Sequence, residues 1–245
     1  MAISPTKTDV MKPLSFICAF AALICCWIIR PSQHPPPTTT ASLSGYGTVK
    51  SAEGSSCAID PNFVPVHHTA SRHLEFLLTK LAPAAGTTSA NFSIEMMRDR
   101  RGVRAINAMT CSDSHLIWIS VTAWEELATY EPALALLLSH ELAHSDHRPL
   151  HALKQDKMTA SERQLLNSLS NRQLVEIASD QRAADIMART GYSPQQISRA
   201  SWYILSRDVE GTLATGSESH PAGRDRANLM SFYLGRKYLS QTYAR

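Results

Sequence analysis

Two histidines four residues apart, His140 and His144, occur in the run Ser139-His140-Glu141-Leu142-Ala143-His144-Ser145-Asp146. On a helix of about 3.6 residues per turn both imidazoles fall on one face, where they can bind a single ion. Glu141 sits beside the pair, placed to take a proton from water polarised by that ion without binding the ion itself. This is the H-E-x-x-H pattern that zinc hydrolases use; the plainer alternative is a solvated helix that happens to carry two histidines.

A catalytic zinc needs a third protein ligand and keeps a fourth position open for water or substrate. A metzincin would have glycine three residues after the second histidine and another histidine three residues further on. The chain has His147 and Leu150 there, which excludes that class. His147 and His151 remain local candidates, although on a continued helix His147 lies about 10 Å along the axis from His140. Glu176 and Asp180 are the stronger candidates, because a spacing of four puts both carboxylates on one face of a second long helix. In that reading Glu176 binds the metal and Asp180 hydrogen-bonds a ligand histidine, fixing its tautomer and raising its basicity. Taken alone, the two acids would be an ordinary solvated face.

The elements that must position these residues follow from periodicity. Pro132 near a helix start and the apolar run Ala133 to Leu138 predict a buried helix carrying His140 to His144. A second long helix is expected from about Gln173 through Met187, stopped by Gly191 and Pro194, and a third from Gln195 to Asp208. Helical spacing predicts a first helix over His67 to Leu81, stopped by Pro83 and Gly86, and a last one over Ala227 to Tyr238. His67, His68 and His73, at the start of the first helix, read as solvated side chains. Short alternating segments at Phe92 to Met96, Val103 to Ile106 and Leu116 to Val121 predict strands, with Thr122 to Thr129 a short helix. The expected fold is α+β, mainly helical, with a small, largely antiparallel sheet. Residues 150 to 170 read as a loop and a short helix over the site.

The 245 residues are 44% hydrophobic and 18% charged, enough for one sizeable domain. A net charge of +3 with no basic run interleaved with aromatics argues against a nucleic-acid partner. Residues 13 to 29 are apolar and uncharged, preceded by Lys7 and Lys12 and ended by Arg30, and no A-x-A site follows directly. They read as a signal anchor or signal peptide over residues 1 to 30, meeting the membrane through 13 to 29. The positive N-terminal side sends the body out of the cytoplasm. Leu23-Ile24-Cys25-Cys26 is a poor relative of a lipoprotein box, so a lipidated form and a cleaved secreted form both stay open. Residues 31 to 60 are a Pro/Ser/Thr-rich linker, and 61 to 245 form the folded domain. Outside the apolar segment only Cys57 and Cys111 remain; in an oxidising compartment they can form a disulfide, and otherwise they are two small core residues.

Several motifs in order now resemble the HtpX-like zinc metallopeptidases, a gluzincin-type family that includes BepA- and LoiP-like periplasmic proteases and, more distantly, the CAAX prenyl endopeptidases. These are His140-Glu141-Leu142-Ala143-His144, Glu176 with Asp180, Ala188-Arg189-Thr190-Gly191-Tyr192-Ser193-Pro194, and His220-Pro221 followed by Arg226. Asn107-Ala108, ahead of the strand at Leu116 to Val121, is similar to the family's segment before its edge strand. Ser179 and Ala183 depart from the family, which favours alanine and glycine there, and no multi-span membrane region or C-terminal repeat domain is evident.

The resemblance implies a gluzincin-type metallopeptidase domain with one Zn2+ per chain, held by His140, His144 and Glu176. It adds His220 as an oxyanion stabiliser or resting occupant of the open metal position, and Arg226 as a support. The expected activity is zinc-dependent hydrolysis of peptide bonds in unfolded or misassembled envelope proteins, with Glu141 as general base. The peptide is expected to add along Leu116, Ile117, Trp118, Ile119 and Ser120. The alternative is a membrane-anchored, chaperone-like assembly factor that binds clients with little or no cleavage.

Overall fold

The computed structural model describes residues 61–68, 71–111, 114–145, 158–207 and 216–239, all within the unit Val49–Arg245. The anchor and linker expectations for residues 1 to 60, with Cys57, and those for His147 and His151 lie outside the described residues.

Alternating side chains build a mixed four-stranded sheet from β1 (Phe63–Val66), β2 (Ser93–Asp99), β3 (Ala108–Cys111) and β4 (Leu116–Ser120), in the order β1-β2-β4-β3. Ile94, Met96, Ile117 and Ile119 face the main core, while Met97, Cys111 and Trp118 form a smaller cluster. This is the period-2 partition of a sheet with two apolar faces. Two pairings, β1 with β2 and β3 with β4, are antiparallel as expected, but β2 and β4 run parallel. The chain leaves β2, folds β3 as a hairpin partner of β4, and inserts β4 beside β2, so β3 is one edge of the sheet and β1 the other.

This overturns one expectation. Leu116 to Ser120 cannot accept a substrate as an added strand, because β4 is bonded to β2 on one side and β3 on the other. Its side chains from Ile117 to Ser120 are buried. Nor does Val103 to Ile106 form a strand: Val103 is exposed, and pairing starts only at Ala108. Ser120 explains the path. Its hydroxyl accepts from Asn107 N (3.1 Å) and Ala123 N (3.0 Å) and donates to Ala105 O (2.9 Å). One buried side chain thus ends β4, caps the next helix and ties down the entry to β3.

The helices are α1 (Ser71–Ala85), α2 (Val121–Leu127), α3 (Glu131–His144), α4 (Ala160–Asn167), α5 (Asn171–Arg189), α6 (Pro194–Ser206) and α7 (Gly223–Leu234). A π-helical turn, Gly235–Leu239, follows α7. α1 runs through Pro83 and stops at Gly86, whose φ of 82° allows Thr87 N to reach Ala82 O (3.0 Å). Gly191 ends α5 in the same way, as the sequence predicts, with Tyr192 N on Met187 O at 3.1 Å.

α3 is the central helix, packed against α1, α5, α6 and β3. Leu134, Leu138 and Leu142 bury one flank, and Ala135 with Ala183 and Ala184 of α5 keeps side-chain bulk small within the same core. Among the described residues no helix is long and apolar enough to cross a membrane.

Replacing Ser120 by alanine should lower the unfolding free energy by about 2 kcal/mol, because a helix cap is lost and buried backbone groups are left unpaired. Urea denaturation of the folded domain measures this; an unchanged midpoint would mean that Ser120 does not hold the β3 entry.

Candidate metal centre

The buried helix α3 carries the histidine pair into the core, and α5 crosses it with the acids on the facing side. His140 Nε2 and His144 Nε2 lie 2.9 Å apart. Glu176 Oε2 is 3.2 Å from His140 Nε2, and Glu176 Oε1 is 3.5 Å from His144 Nε2. Ligand atoms about 2.0–2.1 Å from one tetrahedral ion sit about 3.3 Å apart, so these separations suit a shared metal. Glu176 is 8% exposed, with Oε2 facing His140 and His220 and Oε1 facing His144. A buried carboxylate whose two oxygens face imidazole nitrogens has the environment of a metal ligand. These three residues form the candidate metal-binding group among the described residues.

Supporting contacts come from three elements. Asp180 Oδ1 lies 2.9 Å from His140 Nδ1, which leaves Nε2 to face the centre, as the sequence reading expects. Arg226 of α7 clamps Asp180 from the other side, with Nε to Oδ2 at 2.8 Å and Nη2 to Oδ1 at 2.6 Å. Its Nη2 is also 3.4 Å from His140 Nδ1. His220 Nε2 is 3.4 Å from Glu176 Oε2, and Ser219 Oγ is 2.8 Å from His220 Nδ1. His220 lines the same pocket as His140, Glu141, Asp180 and Arg226.

Two contacts escape the sequence reading. Ser179 Oγ lies 3.3 Å from His144 Nδ1, which gives the second histidine a partner of its own. Thr110 Oγ1, on β3, shares its one proton between Glu141 Oε2 at 2.9 Å and Glu141 O at 3.1 Å. No spacing rule links residues 31 positions apart. The only hint of Thr110 is its place three residues after Asn107.

The electrostatics follow from burial and charge. Burial alone would raise the Asp180 carboxyl, but the Arg226 guanidinium outweighs it and holds Asp180 well below the usual carboxylate range. Burial also opposes ionisation of Glu176, and the hydrogen bonds from His140 and His144 bring it below its ordinary value. For His140 burial pulls the imidazole down, yet the hydrogen bonds to Asp180 and Glu176 win and push it up to about 9. His220 is shifted the other way: burial lowers it, against the attraction of Glu176.

Leu116 to Ser120 contribute no side chain to the pocket lining; Ile106, Asn107 and Ala108, at the β3 entry, take that place. His68 and His73 pack edge-on against Trp124, with ring centroids 6.4 and 5.5 Å away. Cys111 is buried and disulfide-bonded, while Cys57 lies outside the described residues.

Two outcomes follow for metal binding. Asp180→Asn should weaken zinc affinity by about 10- to 100-fold in a chelator competition, as loss of a carboxylate behind a ligand histidine does. An unchanged affinity would remove Asp180 from the centre. Without metal, His140 stays protonated below about 9, so zinc must displace that proton. Apparent affinity should therefore rise about tenfold per pH unit between pH 7 and 8.5. Proton release in calorimetry across buffers measures it, and a flat profile would contradict it.

No family model matches the chain, and no curated protein matches it.

Proposed function

We propose that this chain is a zinc-dependent endopeptidase of the HtpX-like, gluzincin type, cleaving unfolded or misassembled proteins of a bacterial cell envelope. The observation that carries this reading is the group formed by buried His140 and Glu176 and half-buried His144, with Glu141 beside it, at a pocket that Glu141 and His220 both line. Three ligands and an adjacent base suit a catalytic zinc site; a structural site would close the metal with four.

Zinc held by these side chains would acidify water and polarise a peptide carbonyl. The chain's own residues do the rest. Glu141 accepts the water proton as the carbon–oxygen bond forms, then delivers it to the departing amine as the carbon–nitrogen bond breaks. The Thr110 hydroxyl orients that carboxylate. Since Thr110 belongs to the edge strand, the base is fastened to the element where an extended peptide would bind. That peptide would add to the outer side of β3, with backbone hydrogen bonds selecting extended chain over folded protein. Partial burial favours the neutral form of His220, which, with Ser219 Oγ on Nδ1, can offer an Nε2–H to the oxyanion of the tetrahedral intermediate. The disulfide at Cys111 and the apolar segment 13 to 29 support a membrane-anchored body outside the cytoplasm.

A second reading, a chaperone-like assembly factor that holds clients without cutting them, is favoured by one contact. His220 Nε2 lies 3.4 Å from Glu176 Oε2, close enough to take up the room that catalysis needs.

Glu141→Gln separates the readings. The variant should keep one zinc per chain while casein hydrolysis falls by about 10²- to 10⁴-fold, the usual contribution of a general base. Cleavage at the wild-type rate would sink the protease assignment. Full rescue of a deletion phenotype by the inactive variant would favour the client-holding reading.

A further inference from the structure

The loop carrying His220 is fastened to the start of the helix that carries Glu176. Gln173 Nε2 donates to Ser217 O at 2.9 Å, and Ser170 Oγ donates to Glu218 O at 3.3 Å. The same Gln173 closes the cap of α5: its Oε1 accepts from Ser170 N at 2.9 Å, and its own N donates to Ser170 Oγ at 3.3 Å. Those partners fix which end of the amide is which. A backbone N–H requires the oxygen and a carbonyl requires the NH2 group, so both halves of the side chain are committed.

Gln173, Glu176 and Asp180 stand at i, i+3 and i+7, on one stripe of α5. One helix face therefore presents a loop anchor, a candidate ligand and the support of a ligand histidine in succession. Within the loop, Ser217 N donates to His220 O at 2.7 Å and His220 N donates to Ser217 Oγ at 3.1 Å. This closes a tight turn whose far end is His220. Gly216, with φ at 72°, lets the turn pass: a Cβ there would sit 2.7 Å from Ala222 N and 3.0 Å from His220 O. Neither neighbour is a side chain that could swing away.

We infer that Gln173 is a positioning residue that holds His220 against Glu176 through Ser217, so that the α5 cap sets how far His220 stands over the metal centre. The inference rests on the proposed metal centre for its consequence, but the loop contacts stand without it. It also gives the resting distance between His220 and Glu176 a physical cause that lies outside the pocket: the Gln173 amide on Ser217 O, with Ser170 Oγ on Glu218 O beside it.

Gln173→Glu isolates the contact. Glutamate keeps the acceptor that caps Ser170 N, so α5 should fold and the unfolding midpoint should stay at the wild-type value. It removes the donor to Ser217 O and sets a carboxylate against that carbonyl. In metal-free protein, amide exchange across 216–222 should speed up by about tenfold or more, with α5 protection unchanged. In the cobalt-substituted protein, the visible spectrum and the rate of metal loss to a chelator should move to the values of His220→Ala. The double variant should move no further than His220→Ala. Gly216→Ala, which disturbs the turn without touching α5, should shift the same readouts in the same direction.

Wild-type exchange across the loop in Gln173→Glu would overturn the inference whether or not metal binds. So would faster exchange with a wild-type cobalt spectrum and metal-loss rate, or an effect that adds to that of His220→Ala. If the wild-type protein takes up no cobalt or zinc, the proposed function fails on that ground, and loop exchange still decides whether Gln173 holds the turn.

Discussion

A buried carboxylate, Glu176, faces two imidazoles at once, with Oε2 3.2 Å from His140 Nε2 and Oε1 3.5 Å from His144 Nε2, and the rest of the structure is arranged around that fact. An isolated buried carboxylate is costly enough that it would ordinarily protonate. Here it is held charged by the hydrogen bonds and charge of His140 and His144, with the Arg226 guanidinium adding attraction from beyond Asp180. Removing one partner from such a buried set costs about 3–5 kcal/mol, because the remaining charge is stranded. The contact between α3 and α5 is therefore electrostatic as well as apolar. Leu138 and Ala183 belong to its packed core, and His140 with Asp180 sets its register.

The sheet enters this arrangement through two hydroxyls. Ser120 gathers the end of β4, the start of α2 and the entry to β3, and Thr110 then joins β3 to Glu141. The hairpin is thereby locked to α3 at the glutamate rather than at the metal-ligand atoms. A shift of β3 would move the proposed base while leaving the candidate ligands His140, His144 and Glu176 in place. That division suits a site in which metal affinity and proton transfer are set by different contacts: Asp180, Ser179 and Arg226 for the first, Thr110 for the second.

Long, periodic helices with plain stops were legible in the sequence: α3 with its all-round apolar run, and α5 ended by Gly191. So was the grouping of the candidate metal-binding residues, because His140 and His144 share one helix face and Glu176 and Asp180 another. The strands were harder. Val103 to Ile106 alternates like a strand but is held as a loop by Ser120, and β3, only four residues long, has no apolar alternation to mark it. Reading Leu116 to Ser120 as the exposed strand failed for a related reason. Its near-continuous apolar run is the mark of a central strand paired on both sides, and which strand ends a sheet depends on chain crossings that local pattern does not encode. Thr110, Ser179 and the reach of Gln173 to Ser217 are contacts across 31, 35 and 44 positions, beyond any spacing rule. Only the Ser170-to-Gln173 capping pattern left a local trace.

The central claim is that α3 and α5 together hold one zinc ion. X-ray absorption at the zinc edge, on protein loaded with one equivalent, tests it most directly. The account predicts two imidazole nitrogens at about 2.0–2.1 Å and a carboxylate oxygen at about 2.0–2.2 Å, with at most one further light atom and no sulfur. A spectrum without imidazole scattering, a sulfur ligand at about 2.3 Å, or zinc that stays bound with the same spectrum in Glu176→Gln would contradict it.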